Sequence, residues 1–347
     1  MIQAHLEKRA SVALDTYIVD CTWSSDSGAV AVAGGEGAVL HIADVATKPD
    51  VRPLGEHAFG ALAVAWQPGS GAIASSGQDG KLMLWNEDAA VPAKLLGSSR
   101  SWTEHLAYAS DGKLAAATGK TLDLWSSSGE RIGELGPYSS TIAAIAWDPS
   151  GRLIAAAAHR AMWLHRIEPP DFPAREYEVP AACLTAAFSP NGRMLASGMQ
   201  DGVVHIFYHL NEERDSHLRG YDARVPLTVW SGNSKQLATG SGAQIMVWDF
   251  GGKRQDGSIA LKLSAHTDRI DCLAYQPNGP WLVSGGRDWR LALWLPGKAQ
   301  LPLDVHASAS EISVLRWSPD GRFLAVGERA GRLSIYALVT KSASPSR

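Results

Sequence analysis

Cysteine is scarce in this 347-residue chain: the three thiols, Cys21, Cys183 and Cys272, are odd in number and far apart. That argues against a disulfide framework or a paired-cysteine metal motif, and fits thiols kept reduced in a cytosol. An excess of one charge is lacking too, since 32 Lys and Arg stand against 35 Asp and Glu for a net charge of −3. The electrostatic footprint of a nucleic-acid binder is therefore absent. No stretch approaches the roughly 18 apolar residues of a membrane span. The apolar run after Glu7, Lys8 and Arg9 ends at Asp15, too short for a signal-peptide core. These absences predict a cytoplasmic protein that partners neither membrane nor nucleic acid.

What the chain has in quantity is turn formers and apolar residues. Hydrophobic residues make up 45% of it and charged ones only 19%, enough for a large packed core, while 34 glycines imply many turns and hence an all-β fold. One phrase recurs, an apolar strand ending in an aromatic and followed by a polar turn closing near Gly. Trp317-Ser318-Pro319-Asp320-Gly321 shows it best, and Phe188-Ser189-Pro190-Asn191-Gly192, Trp147-Asp148-Pro149-Ser150-Gly151 and Tyr275-Gln276-Pro277-Asn278-Gly279 repeat it. The marker aromatics are Trp23, Trp66, Tyr108, Trp147, Phe188, Trp230, Tyr275 and Trp317, spaced by 43, 42, 39, 41, 42, 45 and 42 residues. A second marker closes a later strand in each repeat, at Ile42, Trp85, Trp125, His165, Phe207, Trp248, Trp294 and Tyr336. Both registers count eight, and a period of about 40–45 residues with four strands per unit is that of a propeller blade.

Two repeats share a finer pattern. His57, Ser75, Asp79 and Trp85 in one, and His266, Ser284, Asp288 and Trp294 in the other, have identical separations of 22 from His to Asp, 4 from Ser to Asp and 6 from Asp to Trp. On these residues the chain, from about residue 5 to 338, resembles the WD-repeat (WD40) β-propeller family, and the alanine-rich sequence is compatible with a bacterial member. The resemblance implies that each foursome is a hydrogen-bonded structural tetrad within a blade. The other repeats depart from it: Phe207 replaces the Trp in the fifth, Tyr221 stands at the His position of the sixth, which has no Asp, and His165 takes the Trp position of the fourth. The expected fold is a single closed eight-bladed β-propeller of four antiparallel strands per blade, with a seven-bladed ring as the alternative. It occupies residues 1–340, is closed by the N-terminal strand as the outermost strand of the last blade, and leaves a short flexible tail at 341–347.

Catalytic and cofactor signatures are sparse. Gly112-x6-Gly119-Lys120-Thr121 is two residues too long for a phosphate-binding loop and falls where a hairpin turn belongs. His205 and His209 would share a metal on a helix, but on a strand they stand about 13 Å apart, and His217 is read into the following loop. No catalytic, cofactor or metal residues are assigned.

Candidate binding residues come from the position six before each marker, which by the resemblance rings the top opening: Tyr17, Gly60, Trp102, Thr141, Ala182, Arg224, Arg269 and Glu311. Arg224, Arg269, Glu311 and Tyr17 form an arc over blades 6, 7, 8 and 1, joined by Asp268, Asp271, Arg287 and Trp289. Arg with aromatic residues is the composition of an interface, whereas an ordinary solvated rim is the plainer reading. Trp102 is a further loop aromatic across the ring. The function expected is a non-enzymatic, monomeric scaffold that binds a protein or peptide on its top face. The alternatives are a metal- or ligand-binding propeller using the central channel, either as an enzyme or as an accessory in metal homeostasis.

Overall fold

The computed structural model describes residues 3–88, 90–167, 175–208, 215–252, 257 and 260–341. His209 and residues 342–347 lie outside them. Every element among the described residues is a strand, and the strands form eight four-stranded antiparallel sheets. Seven sheets use consecutive strands, the first being Ile18–Trp23, Val30–Gly34, Ala38–Ala43 and Asp50–Glu56. In the eighth, Ile312–Trp317, Phe323–Glu328 and Arg332–Lys341 are completed by Gln3–Ala13, whose ladder runs from Gln3 opposite Lys341 to Ala13 opposite Arg332. The fold is an eight-bladed propeller, as both markers predict.

The local chemistry explains the repeating phrase. In the last blade Ser318 Oγ donates to Asp320 (2.6 Å) and accepts from the Phe323 amide (2.9 Å), and Gly321 supplies a φ of 71°. Ser189 with Asn191 and Met194 builds the same turn in blade 5. A polar side chain thus closes the turn by bonding its own backbone.

There is no single core. The buried side chains fall into eight clusters, each shared by two neighbouring blades, such as Trp281, Leu293 and Ile312 between blades 7 and 8 or Ile18, Val32 and Ile335 between blades 8 and 1. The second strand of each blade is sandwiched on both faces and reads as small residues, with Ala155, Ala156, Ala157 and Ala158 all fully buried in blade 4. The alanine-rich composition is therefore a packing requirement, since wider side chains would force the blades apart. Trp281 is core and lies just ahead of its strand, Leu282–Gly286.

Candidate functional site

Because the inner strand starts where the outer strand of the preceding blade ends, antiparallel order puts two connections of every blade on one face. These are the loop leading into the inner strand and the turn between the second and third strands. That face is the top. The two connections are tied together by one repeated backbone bond, in which the turn donates to the carbonyl six residues before the marker. Gly35 donates to Tyr17 (2.9 Å), Gln78 to Gly60 (2.9 Å), Gly119 to Trp102 (3.2 Å), Arg287 to Arg269 (2.9 Å) and Arg329 to Glu311 (2.9 Å). Gln200 likewise donates to Ala182 (3.0 Å), so the top position is held by this bond in blades 1, 2, 3, 5, 7 and 8, and variation there lies in the side chains.

Beneath this rim lie the tetrads. In blade 2, Trp85 Nε1 donates to Ser75 Oγ (2.7 Å), Ser75 pairs with His57 Nε2 (2.7 Å), and His57 Nδ1 meets Asp79 (3.0 Å). Blade 7 repeats it with Trp294 to Ser284 (2.8 Å), Ser284 with His266 (2.7 Å) and His266 with Asp288 (3.0 Å). Since the carboxylate only accepts, Nδ1 carries the proton and Nε2 accepts from the serine, so the donors run in one direction from Trp to Asp. Burial pushes the Asp79 and Asp288 carboxyls up. The bonds from the histidines and from the Ala58, Lys81, Thr267 and Arg290 amides outweigh burial and hold both below the usual range.

Two further blades keep the bond with different residues. In blade 6 Trp248 Nε1 donates to the Tyr221 hydroxyl (2.7 Å), which itself bonds Thr239. Burial pushes the Tyr221 hydroxyl up to about 12, so it stays protonated and can donate onward. In blade 4 the Tyr138 hydroxyl meets His165 Nε2 (2.8 Å), and burial drives that imidazole down to about 4. The position nine before the marker thus holds His57, Tyr138, Tyr221 and His266, a signal visible to any reading that compares hydrogen-bonding capacity rather than residue identity.

On the top surface, Asp271 gathers two of the arc's cations: Arg269 Nε donates to it at 2.6 Å and Arg287 Nε approaches to 3.4 Å. Asp268 caps the Arg269 amide (2.6 Å), and Glu311 pairs with Arg329 (3.0 Å), a residue absent from the sequence-based set. Arg224 is exposed on blade 6, with no ion pair among the described residues. Trp289 is 50% exposed and has a φ of 63°, in the turn position where Gly80 of blade 2 has 69°. Tyr17 and Trp102 are exposed on blades 1 and 3. Phe59, missed by sequence reasoning because it precedes the ring position held by Gly60, is 84% exposed with a φ of 71°.

Away from this face, His217 sits on a strand directly opposite His205, with ring centroids 4.2 Å apart, so its reading as a loop residue is corrected. Among the described residues no group of three or more His, Cys, Asp or Glu is arranged to hold a metal. A cleft of about 630 Å³ opens at the other end of the blades, lined in part by Gln276, Trp281, Arg322 and Phe323.

Over 95% of its length the chain superimposes on 99% of the crystal structure of the computationally designed Ika8 protein, with a TM-score of 0.78 at 17% identity, which shows a shared fold. It is 24% identical over 286 residues to "Cell division cycle 20.6, cofactor of APC complex" of Arabidopsis thaliana, covering 80% of this chain and 57% of that protein. It is 22% identical over 248 residues to "Telomerase protein component 1" of Mus musculus, covering 68% of this chain and 9% of that protein. A 113-residue stretch, 32% of this chain and 12% of the relative, is 30% identical to "Periodic tryptophan protein 2 homolog" of Mus musculus. The chain thus spans from about a tenth to just over half of the length of these relatives. None of the three lends support to a bacterial source. The profile of the WD40 family, "WD domain, G-beta repeat", matches residues 50–86, 176–207, 257–294 and 297–336, each match running from the outer strand of one blade to the third strand of the next. Those four stretches are WD40 repeats.

Proposed function

We propose that this chain is a non-enzymatic scaffold, cytoplasmic and monomeric, that binds a protein or peptide on its top face along the arc from blade 6 to blade 1. The observation that carries this reading is Trp289. A tight turn that uses Gly in six of the other blades, and Arg160 in blade 4, here holds a large aromatic side chain in left-handed backbone, half exposed to solvent. Such a conformation costs about 1 kcal/mol or more for a residue with a Cβ, and local strain of this kind concentrates at functional sites. Arg269 and Arg287, oriented by Asp271, place guanidinium groups on the same blade. The three free, buried thiols support a reducing compartment. A relative described as a cofactor of a complex lends weight to a protein partner.

The test is affinity capture from cells, read by mass spectrometry, with wild type against the double variant Trp289→Ala, Arg269→Ala. Loss of a specific partner from a variant that melts normally is the expected result. Trp102→Ala, two blades beyond the arc, should weaken that capture less. Full retention by the double variant would move the site elsewhere.

A further inference from the structure

Three exposed aromatic side chains stand on consecutive blades outside most of the arc: Tyr17 on blade 1, Phe59 on blade 2 and Trp102 on blade 3. Their loops abut. The Tyr17 hydroxyl donates to the Gly35 carbonyl (3.2 Å), and its ring lies on Gly35 so closely that a Cβ there would fall 1.7 Å from the ring. The same Gly35 carbonyl is 2.7 Å from where a Cβ of Gly60 would stand, and Gly60 follows Phe59. Across blade 2 the Gly80 carbonyl accepts from Ser99 (2.9 Å) at the start of the loop that carries Trp102. The three loops are therefore joined through backbone contacts, and each presents one exposed aromatic side chain. Phe59 repeats the signature of Trp289, an apolar side chain in left-handed backbone, and it is the more exposed of the two.

Charge around these side chains is uneven. At the Trp102 end stand Arg100, Lys81 and Lys120. Gly80 and Gly119 bring the turns bearing the two lysines against Ser101. Arg100 has no hydrogen bond or ion pair among the described residues, and Lys120 reaches only the Ser139 carbonyl (3.1 Å). Asp79, 4.0 Å from Lys81, is already committed to His57, which leaves Glu104 as the exposed acid of this end, whereas Asp15, Glu36 and Glu56 are exposed toward Tyr17 and Phe59, so the cations are confined to the Trp102 end.

We infer that the strip Tyr17–Phe59–Trp102 is a second docking site, for an extended acidic segment of a protein partner. Its aromatic or aliphatic side chains pack on the three rings, and its carboxylates meet Arg100, Lys81 and Lys120. The site goes beyond the arc centred on Trp289 and stands without it, although the two meet at Tyr17. Aromatic anchors give contact area at low entropic cost, and the cations select for the acidic sequence and speed encounter.

The test is selection of displayed random peptides of about twelve residues on the intact protein, followed by fluorescence anisotropy with the enriched peptides. Enrichment of Asp or Glu beside Phe, Trp or Leu is expected. Affinity should fall about tenfold or more both in Phe59→Ala, Trp102→Ala and in Arg100→Glu, Lys120→Glu, and should weaken with salt. Phe59→Gly, which relaxes the backbone, should lose binding while folding at least as well as wild type. Binding should be unchanged in Trp289→Ala, Arg269→Ala, which separates this site from the arc. No enrichment, enrichment without acidic residues, or unchanged affinity in the first two variants would overturn the proposal.

Discussion

Trp23 donates its indole N–H to the backbone carbonyl of Arg316 at 2.9 Å, joining the inner strand of the first blade to that of the last. The side chain of Arg316 returns across the seam to Asp20 (3.0 Å), and Ser313 Oγ donates to the Ile18 carbonyl (2.7 Å). Elsewhere in the ring the same indole bond recurs, from Trp147 to Ala107, Trp230 to Ala187 and Trp317 to Ala274. In four of the five tryptophan markers the indole is thus a link between blades, whereas Trp66 donates to the Ser70 carbonyl of its own blade (2.9 Å). Trp23→Phe keeps most of the apolar contact but strands the Arg316 carbonyl, so it should cost about 1–3 kcal/mol in a urea unfolding titration. An unchanged midpoint would show that the seam does not depend on this bond.

The two complete tetrads make stability depend on acid. Asp79 and Asp288 are held below the usual carboxylate range when folded, so the unfolded chain takes up their protons first as pH falls. Their contribution is fully present above the unfolded value of about 4 and is lost as pH drops through the folded values. Asp79→Asn with Asp288→Asn should lower the melting temperature at pH 7 and flatten its fall below about pH 4. A variant that melts like wild type at pH 7 would show that the carboxylates are not structural.

His165 gives a second window with a different cause. Burial keeps it neutral down to about 4, whereas in the unfolded chain it protonates near 6.5. Between those values the unfolded chain binds more protons, so stability is whole above the window and declines as pH falls through it, by about 2 kcal/mol at pH 5 from this residue. His165→Trp should rebuild with Tyr138 the pair seen between Trp248 and Tyr221. The melting temperature of the variant should then fall less between pH 7 and pH 5, with His41 and His105, also lowered by burial, carrying the remaining slope. Parallel melting curves for the two proteins would contradict this account.

Trp289→Gly should separate stability from recognition. Glycine adopts a φ of 63° without a Cβ clash, so the variant should be more stable than wild type by about 1 kcal/mol while losing partner capture. A drop in melting temperature would mean that the indole packs against its own blade, and Trp289 would then be a structural residue.

The blade count was legible because both markers are tied to geometry that repeats. The marker aromatic reaches the neighbouring inner strand in four blades, and the turn after it needs a side chain that bonds its own backbone. The two tetrads were legible as spacing. Tyr221 was legible at the His position, but its bond to Trp248 and the role of Tyr138 were not, because a hydroxyl can replace an imidazole as the partner of the third-strand residue without any resemblance in sequence. Phe59 escaped because the ring position itself is Gly60, and nothing in the sequence marks the left-handed φ of 71° at Phe59. The ion pairs of the arc could not be read either, since which of Arg269, Arg287 and Arg329 meets which carboxylate depends on how two connections of a blade are stitched together.

The ladder between Gln3–Ala13 and Arg332–Lys341 has a mechanical side. Gln3 faces Lys341, so force applied at those two residues opens the pair from one end and loads its hydrogen bonds one rung at a time, as a zipper does. Pull along the strands in opposite directions would strain the whole ladder at once. The ring is therefore closed by a ladder that a tug at its open end peels apart. The tug must come from residues 3 and 341 together.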